Sequence, residues 1–247
     1  ASAQLWVLLA KVQAMVVARR RCTLRDLYYQ LKQTGLFAGG ASDVTAASVR
    51  LLEILSKRLG RTTLSRRVLN ITAAPKGFVA GPLELMTSSG TRVQTSHEPW
   101  SIPGDLSEIA QLRASSRLAR YFLVVEKHTV FQALVDQNFP RDRATIVCTG
   151  RGFPDMATRA FVRSVCDQLG LMPLALTDFN PAGMQIYLAY KEGASAQARA
   201  EGEEVLCPNM RWIGLHHEDV RSLPSAAVDA LNVRDQAILR NLLARGA

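Results

Sequence analysis

YFLVVEKHTVFQALVDQNF, residues 121–139, is the stretch whose reading decides the fold. From Tyr121 to Val125 the side chains are apolar or aromatic without a break, and the run stops at Glu126. A strand with one wet face alternates in polarity, whereas an unbroken run bounded by polar residues suits a parallel strand covered on both faces. The residues that follow, TVFQALVDQNF, predict a helix. The alternation then repeats. ATIVCTG (144–150) precedes a helix over MATRAFVRSVCDQLG (156–170), and MPLALTDFN (172–180) precedes a helix over AGMQIYLAYKEG (182–193). Strand, helix, strand, helix in this order predicts a three-layer α/β domain around a parallel sheet. In such sheets chemistry collects at the carboxyl ends of the strands, where Glu126 closes the first strand and Asp178 the third.

Upstream the texture is helical. Residues 3–20 carry Leu5, Leu8, Leu9, Val12 and Val16 on a helical period. Thr23 followed by Asp26 reads as a capping box that opens a second helix. Asp43 is expected to cap a third, with Val44, Ala47, Leu51, Leu55 and Leu59 on one face and Gly60 ending it. SRRVLNITAAPKGFVAGPLELMTSSGTRVQTS (65–96) then alternates short β-rich runs with Gly, Pro and Ser-Gly turns. Three helices and a hairpin describe a winged helix-turn-helix. SHEPWSIPGDL (96–106) reads as a linker, so the expected division is 1–104 and 105–247.

Charge follows this division. Residues 1–104 hold 14 Lys and Arg against 5 Asp and Glu, while residues 105–247 hold 16 of each. A basic half beside a neutral half points to a polyanion, most simply double-stranded DNA. Arg50, Lys57, Arg58, Arg61, Arg66 and Arg67, on or near the third helix, are the first candidates for meeting it. The longest apolar stretch, Leu5 to Val17, is interrupted by Lys11 and Gln13, too short for a bilayer and without a basic flank, so no membrane role and an intracellular setting are expected. Cys22, Cys148, Cys166 and Cys207 are far apart without a CxxC or CxxxH, which disfavours zinc and a disulfide framework and suggests buried free thiols.

Within TLRDLYY (23–29), 100° per residue puts Leu24, Leu27, Tyr28 and Leu31 in one stripe. Tyr29 points about 100° away, toward Arg25 on the polar side. One tyrosine is an anchor and the other an exposed phenol beside a guanidinium. Glu126 and Asp178, with Asn180 two residues on, are oxygen donors suited to Mg²⁺, which keeps several waters and shares a phosphate. Strand-end carboxylates also serve as caps: Asp178 could cap the next helix, and Asn180 could only shape the turn before Pro181.

TLRDLYY resembles the catalytic motif of the topoisomerase VI A-subunit family, which includes the eukaryotic meiotic double-strand-break transesterase. VVEKHTVFQAL, TGRGFPDMATR and LTDFNPAG resemble successive segments of that family's Toprim domain, and AAPKGFVAG resembles its wing. The likeness runs in order from about residue 10 to 215, and its wording is closer to the eukaryotic branch. It implies Tyr29 as nucleophile with Arg25 beside it, and Glu126, Asp178 and Asn180 as the Mg²⁺ positions. Asn180 stands where most members carry a second Asp. It also implies DNA contacts at Lys76, Arg151, Phe153 and Arg159, and a G-x-P-D-x-x-T-R element at Gly152, Pro154, Asp155, Thr158 and Arg159.

The implied activity is DNA cleavage through a 5′-phosphotyrosyl intermediate that initiates meiotic recombination in the nucleus. Tyrosine and metal site would come from opposite protomers of a homodimer or a dimer with a related paralogue. A B-like subunit would supply any ATP dependence, because no GxxxxGK[ST] loop is present here. The alternatives are a DNA-cleaving topoisomerase VI component that religates DNA, and a non-catalytic DNA-binding scaffold. A free tyrosine has a pKa of ~10, so forming phenolate at pH ~7.5 costs about 3.4 kcal/mol, which a neighbouring Arg and a metal can offset.

Overall fold

A computed structural model describes residues 2–61, 64, 66–72, 75–193, 205–224 and 228–244, with the side chains of Ser2, Arg66 and Arg67 outside the description. The chain forms two compact units, Ala1–Ala74 and Pro75–Ala247.

The first unit is built from α1 (Ser2–Val17), α2 (Leu24–Lys32) and α3 (Ala41–Arg58), with β1 (Cys22–Thr23) and β2 (Ile71–Thr72) paired in parallel. Its core joins Leu8, Val12 and Met15 of α1, Leu27 and Leu31 of α2, and Val44, Ala47, Leu51 and Leu52 of α3. The expected capping box is present: Thr23 Oγ1 accepts from the Asp26 N–H at 3.1 Å, and the Asp26 carboxylate accepts from the Thr23 N–H at 3.3 Å. The third helix departs from expectation at both ends. Asp43 lies in its first turn and accepts from the Gly39 N–H at 2.7 Å, two residues inside the start of the helix. Leu59 is 61% exposed, because it is the C-cap and has left the helical stripe, and Gly60 follows at φ +62°, the left-handed turn that glycine permits.

The second unit contains a six-stranded sheet, ordered β11-β10-β8-β9-β3-β6. Its strands are β3 (Phe78–Ala80), β6 (Trp100–Ser101), β8 (Tyr121–Val125), β9 (Thr145–Thr149), β10 (Pro173–Leu176) and β11 (Arg211–Trp212). From β11 to β9 the neighbours are parallel, as the βα alternation predicts, and β3 and β6 extend the sheet antiparallel. Phe122 and Val124 face one core, Leu123 and Val125 the other, and all four are buried. Burial on both faces is why YFLVV reads as an unbroken run.

The helices of this unit are α4 (Leu106–Gln111), α5 (His128–Asp136), α6 (Phe139–Asp142), α7 (Met156–Leu169), α8 (Pro181–Lys191), α9 (His217–Arg221) and α10 (Val233–Leu243). A smaller antiparallel sheet, ordered β5-β4-β7, is made by β4 (Glu84–Met86), β5 (Arg92–Gln94) and β7 (Arg113–Ser115).

The boundary therefore falls about thirty residues before the one expected at 104. The segment after Pro75 hydrogen-bonds into the sheet, with Val79 opposite Cys148 on β9 and Trp100 on β6. The stretch read as a linker is structural too: Ile102 is 1% exposed, and Trp100 packs against Phe161 at 6.1 Å. The expected hairpin exists as β4 and β5, but it pairs with β7 inside the second unit. The charge argument survives the shift. Residues 1–74 hold 12 Lys and Arg against 3 Asp and Glu, and residues 75–247 hold 18 of each. Among the described residues no helix is long and apolar enough to cross a membrane.

Candidate active site

Two groups of residues stand out, one in each unit. In the first, the apolar stripe of α2 sets the direction of everything else. Leu27 and Leu31 are buried and Tyr28 packs against the same core, so Tyr29 is turned outward and is 54% exposed. The Arg25 guanidinium lies 5.9 Å from the centre of the Tyr29 ring, and interaction with the Tyr29 side chain raises the pKa of Arg25. Tyr28 and Tyr29 touch as tilted rings, 5.5 Å apart. Arg50, Lys57, Arg58 and Arg61 are all exposed, and Arg50 and Lys57, seven residues apart, share one face of α3. The side chains of Arg66 and Arg67 lie outside the described residues.

In the second unit, β8 and β10 are adjacent and parallel, with Val125 opposite Leu176, so both chains leave the sheet at the same level. Glu126 is fixed on all sides. Its N–H donates to the Leu176 carbonyl at 3.1 Å, and its carbonyl accepts from the Gly152 N–H at 2.8 Å and the Thr149 hydroxyl at 3.3 Å. Its Oε2 accepts from the Asp178 N–H at 3.0 Å, which binds one candidate ligand to the backbone of the other. Lys127 Nζ is 2.7 Å from Asp178 Oδ2, and this contact holds the Lys127 pKa above its ordinary value. Nothing in the sequence reading singled out Lys127. The available signal was a cation directly after the strand-ending carboxylate.

Of the two roles left open for Asn180, its contacts are those of the one that shapes the turn before Pro181. It is the N-cap of α8, and its Oδ1 accepts from the Gly183 N–H at 2.7 Å. The cap is thus Asn180 rather than Asp178, which leaves the Asp178 carboxylate to Lys127 and solvent. Gly183 completes this turn: a Cβ there would lie 2.1 Å from the Asp178 carbonyl oxygen, so only glycine fits under it. Among the described residues no three His, Cys, Asp or Glu side chains gather as a metal-binding group. What the site does offer is a pair of carboxylates at adjacent strand ends, with Glu126 Oε1 and Asp178 Oδ1 uncommitted among the described residues. That donor set fits one Mg²⁺ that retains most of its waters.

The loop from Gly150 to Asp155 borders this pair. Arg151 adopts φ +53° and lays its guanidinium over the Phe78 ring, 4.3 Å from its centre. Lys76 Nζ donates to the Phe153 carbonyl at 2.6 Å, and the Phe153 ring is 39% exposed. Asp155 caps α7 through the Thr158 N–H at 2.7 Å. Arg159, expected to meet DNA, is only 6% exposed, because it lies one turn into α7 among the buried residues Ala157, Thr158, Phe161 and Val162. At that exposure its side chain is withdrawn from solvent rather than offered on the surface. Cys148, Cys166 and Cys207 are buried free thiols, as expected, and burial pushes the Cys207 pKa up to about 12. They are inert as nucleophiles.

The family model for the Toprim domain of the topoisomerase 6 A-subunit/Spo11 proteins matches residues 121–246. A meiotic recombination protein of Drosophila melanogaster is 32% identical over 96% of this chain and 69% of its own length. Meiotic recombination protein SPO11 of Mus musculus is 31% identical over 96% of this chain, and its namesake in Homo sapiens is 31% identical over 99%. The chain spans 58% of the mouse protein and 60% of the human one. The matched Toprim region begins at the first residue of β8 and takes in both carboxylates. This chain belongs to the topoisomerase VI A-subunit/Spo11 family.

Proposed function

We propose that the chain is the DNA-cleaving component of a meiotic double-strand-break machinery and acts as a tyrosine transesterase. The family is one of topoisomerase-like DNA-cleaving enzymes that act on DNA as dimers. The observation that carries the reading for this chain is the Glu126–Asp178 pair, fixed by a backbone hydrogen bond at the carboxyl edge of adjacent parallel strands.

In the proposed reaction the Tyr29 oxygen attacks a phosphodiester. The Tyr29 Oη–P bond forms while the P–O3′ bond breaks, the phenolic proton is lost, and the departing 3′ oxygen takes up a proton. The product is a 5′-phosphotyrosyl link and a free 3′ hydroxyl, with the bond energy retained in the covalent intermediate. Arg25 places a positive charge where negative charge develops on the phenolic oxygen and the phosphoryl group. Glu126 and Asp178 would hold a divalent cation, Mg²⁺ by their oxygen chemistry, which when bound offsets charge on the phosphate and the leaving oxygen.

Lys127 occupies Asp178 Oδ2 and keeps the two carboxylates from repelling each other before the cation arrives. The exposed cations of α3, with Lys76, Arg151 and Phe153 in the second unit, would bind the duplex. By analogy with the family, Tyr29 of one protomer would serve the carboxylates of its dimer partner, in a nuclear complex with a B-like subunit. The test is to incubate the chain and its B-type partner protein with end-labelled duplex and Mg²⁺, and then to denature the mixture. A labelled covalent adduct is expected, and its absence from Asp178→Asn but not from wild type would tie the adduct to the carboxylate pair. An adduct that forms equally in Asp178→Asn and in chelator would contradict the metal role.

A further inference from the structure

The sheet has a second functional edge. At the amino ends of β8 and β9, opposite the pole that carries Glu126 and Asp178, four exposed arginines cluster: Arg117, Arg120, Arg141 and Arg143. They stand on two turns joined by backbone hydrogen bonds. The Arg120 and Tyr121 N–H groups both donate to the Ala144 carbonyl, at 2.7 and 3.4 Å, and Tyr121 is the register partner of Thr145. Each turn is separately fixed. Ser116 Oγ donates to the Pro82 carbonyl and accepts from the Ala119 N–H at 3.0 Å. On the other side the Ala144 N–H donates to the Arg141 carbonyl at 3.2 Å, and Ala144 is held at φ +48°.

Among the described residues none of the four guanidiniums has a salt bridge or a side-chain hydrogen bond, and the only carboxylate on the two turns is Asp142. The neutral total of this unit, 18 cations against 18 anions, therefore conceals a basic pole. Among the described residues, large exposed apolar side chains at this edge are few: Leu118, Tyr121 and, just before β10, Met172. That is too little for the desolvated centre of a protein interface, whereas unpaired guanidiniums on preformed turns suit phosphodiester oxygens. β8 is five residues long, so the pole lies about 17 Å from Glu126 and faces the other way. A straight duplex lying across the carboxylate edge does not reach it.

We infer that the amino edge of the sheet, through Arg117, Arg120, Arg141 and Arg143, binds the phosphate backbone of a second DNA segment. The chain then holds two duplexes at once, and this capacity does not depend on cleavage. Bridging tests it: full-length protein is mixed with a bead-bound duplex and a fluorescent one, and capture of the second is measured at low and at high salt. For four phosphate contacts, counterion release predicts that capture by the wild type weakens about 150-fold between ~50 and ~200 mM salt. The variant Arg117→Gln/Arg120→Gln/Arg141→Gln/Arg143→Gln should capture at least tenfold less (about 1.4 kcal/mol) while still binding a single duplex. Circular dichroism and thermal melting check its fold. If the fourfold variant does not fold, Arg117→Gln/Arg120→Gln and Arg141→Gln/Arg143→Gln are each expected to reduce capture. Capture equal to wild type in the folded variants overturns the proposal. So does displacement of the second duplex by poly-glutamate more readily than by unlabelled duplex, which would mark a site for acidic protein.

Discussion

The two units hold their candidate reagents in opposite ways. Among the described residues, Tyr29 is held by the backbone of α2 and by ring contacts within that helix. Its ring is more than half exposed and touches Arg25 and the edge of Tyr28, while the stripe that stabilises the helix runs past it. Glu126 is the continuation of a buried strand, bound through its own N–H, carbonyl and carboxylate to two other segments, the chain leaving β9 and the chain leaving β10. A nucleophile must reach a phosphate and gains from freedom. A ligand pair must keep two oxygens at fixed separation and gains from rigidity. Hence a substitution at the phenol should separate chemistry from stability, and substitutions around the carboxylates should not.

Phe122 provides the largest contrast. It is fully buried in β8, and Phe122→Ala should cost about 3–5 kcal/mol in denaturant titration and remove activity by unfolding the platform under Glu126. At the site itself, Asp178→Asn should nearly abolish Mg²⁺ or Mn²⁺ binding in calorimetry, and Asn180→Asp should tighten it by adding a negative charge beside the cation. Asn180→Asp should keep the fold, since Asp also caps well. If neither variant changes metal affinity, the carboxylates belong to the turn alone. In the first unit, Thr23→Ala removes one half of the capping box and should lower stability by about 1 kcal/mol without touching metal affinity.

The smallest effect belongs to Lys127→Met. Its ion pair with Asp178 is solvent-exposed, so stability should change by about 0–1 kcal/mol, while metal binding should strengthen a few fold as a competing cation is lost. A large loss of stability there would show that the pair is structural.

How much of this was legible in the sequence follows the same division. The strands β8, β9 and β10 and the helices after them announce themselves, because burial on both faces writes an uninterrupted apolar run and an amphipathic helix must follow it. The outward direction of Tyr29 was legible for a similar reason: Leu24, Leu27, Tyr28 and Leu31 fix the buried face of α2. The domain boundary was not. β3 and β6 are three and two residues long, too short to show a period, and β9, the strand that ties β3 into the sheet, lies about seventy residues further on. The role of Asn180 was left open because N-caps and oxygen ligands draw on the same residue types, and only the Gly183 N–H decides between them. Arg159 looked like a DNA contact by motif, yet its helical position turns it inward.

The central claim is that Tyr29, not its neighbour, carries the covalent link to DNA. Digesting a trapped protein–DNA adduct and mapping the modified peptide by mass spectrometry measures this directly, in wild type, Tyr29→Phe and Tyr28→Phe. The account predicts a nucleotide mass on Tyr29 and no adduct in Tyr29→Phe, whose stability stays within about 0.5 kcal/mol of wild type. Tyr28→Phe should keep the adduct. A nucleotide on Tyr28, or an adduct that persists in Tyr29→Phe, would contradict it.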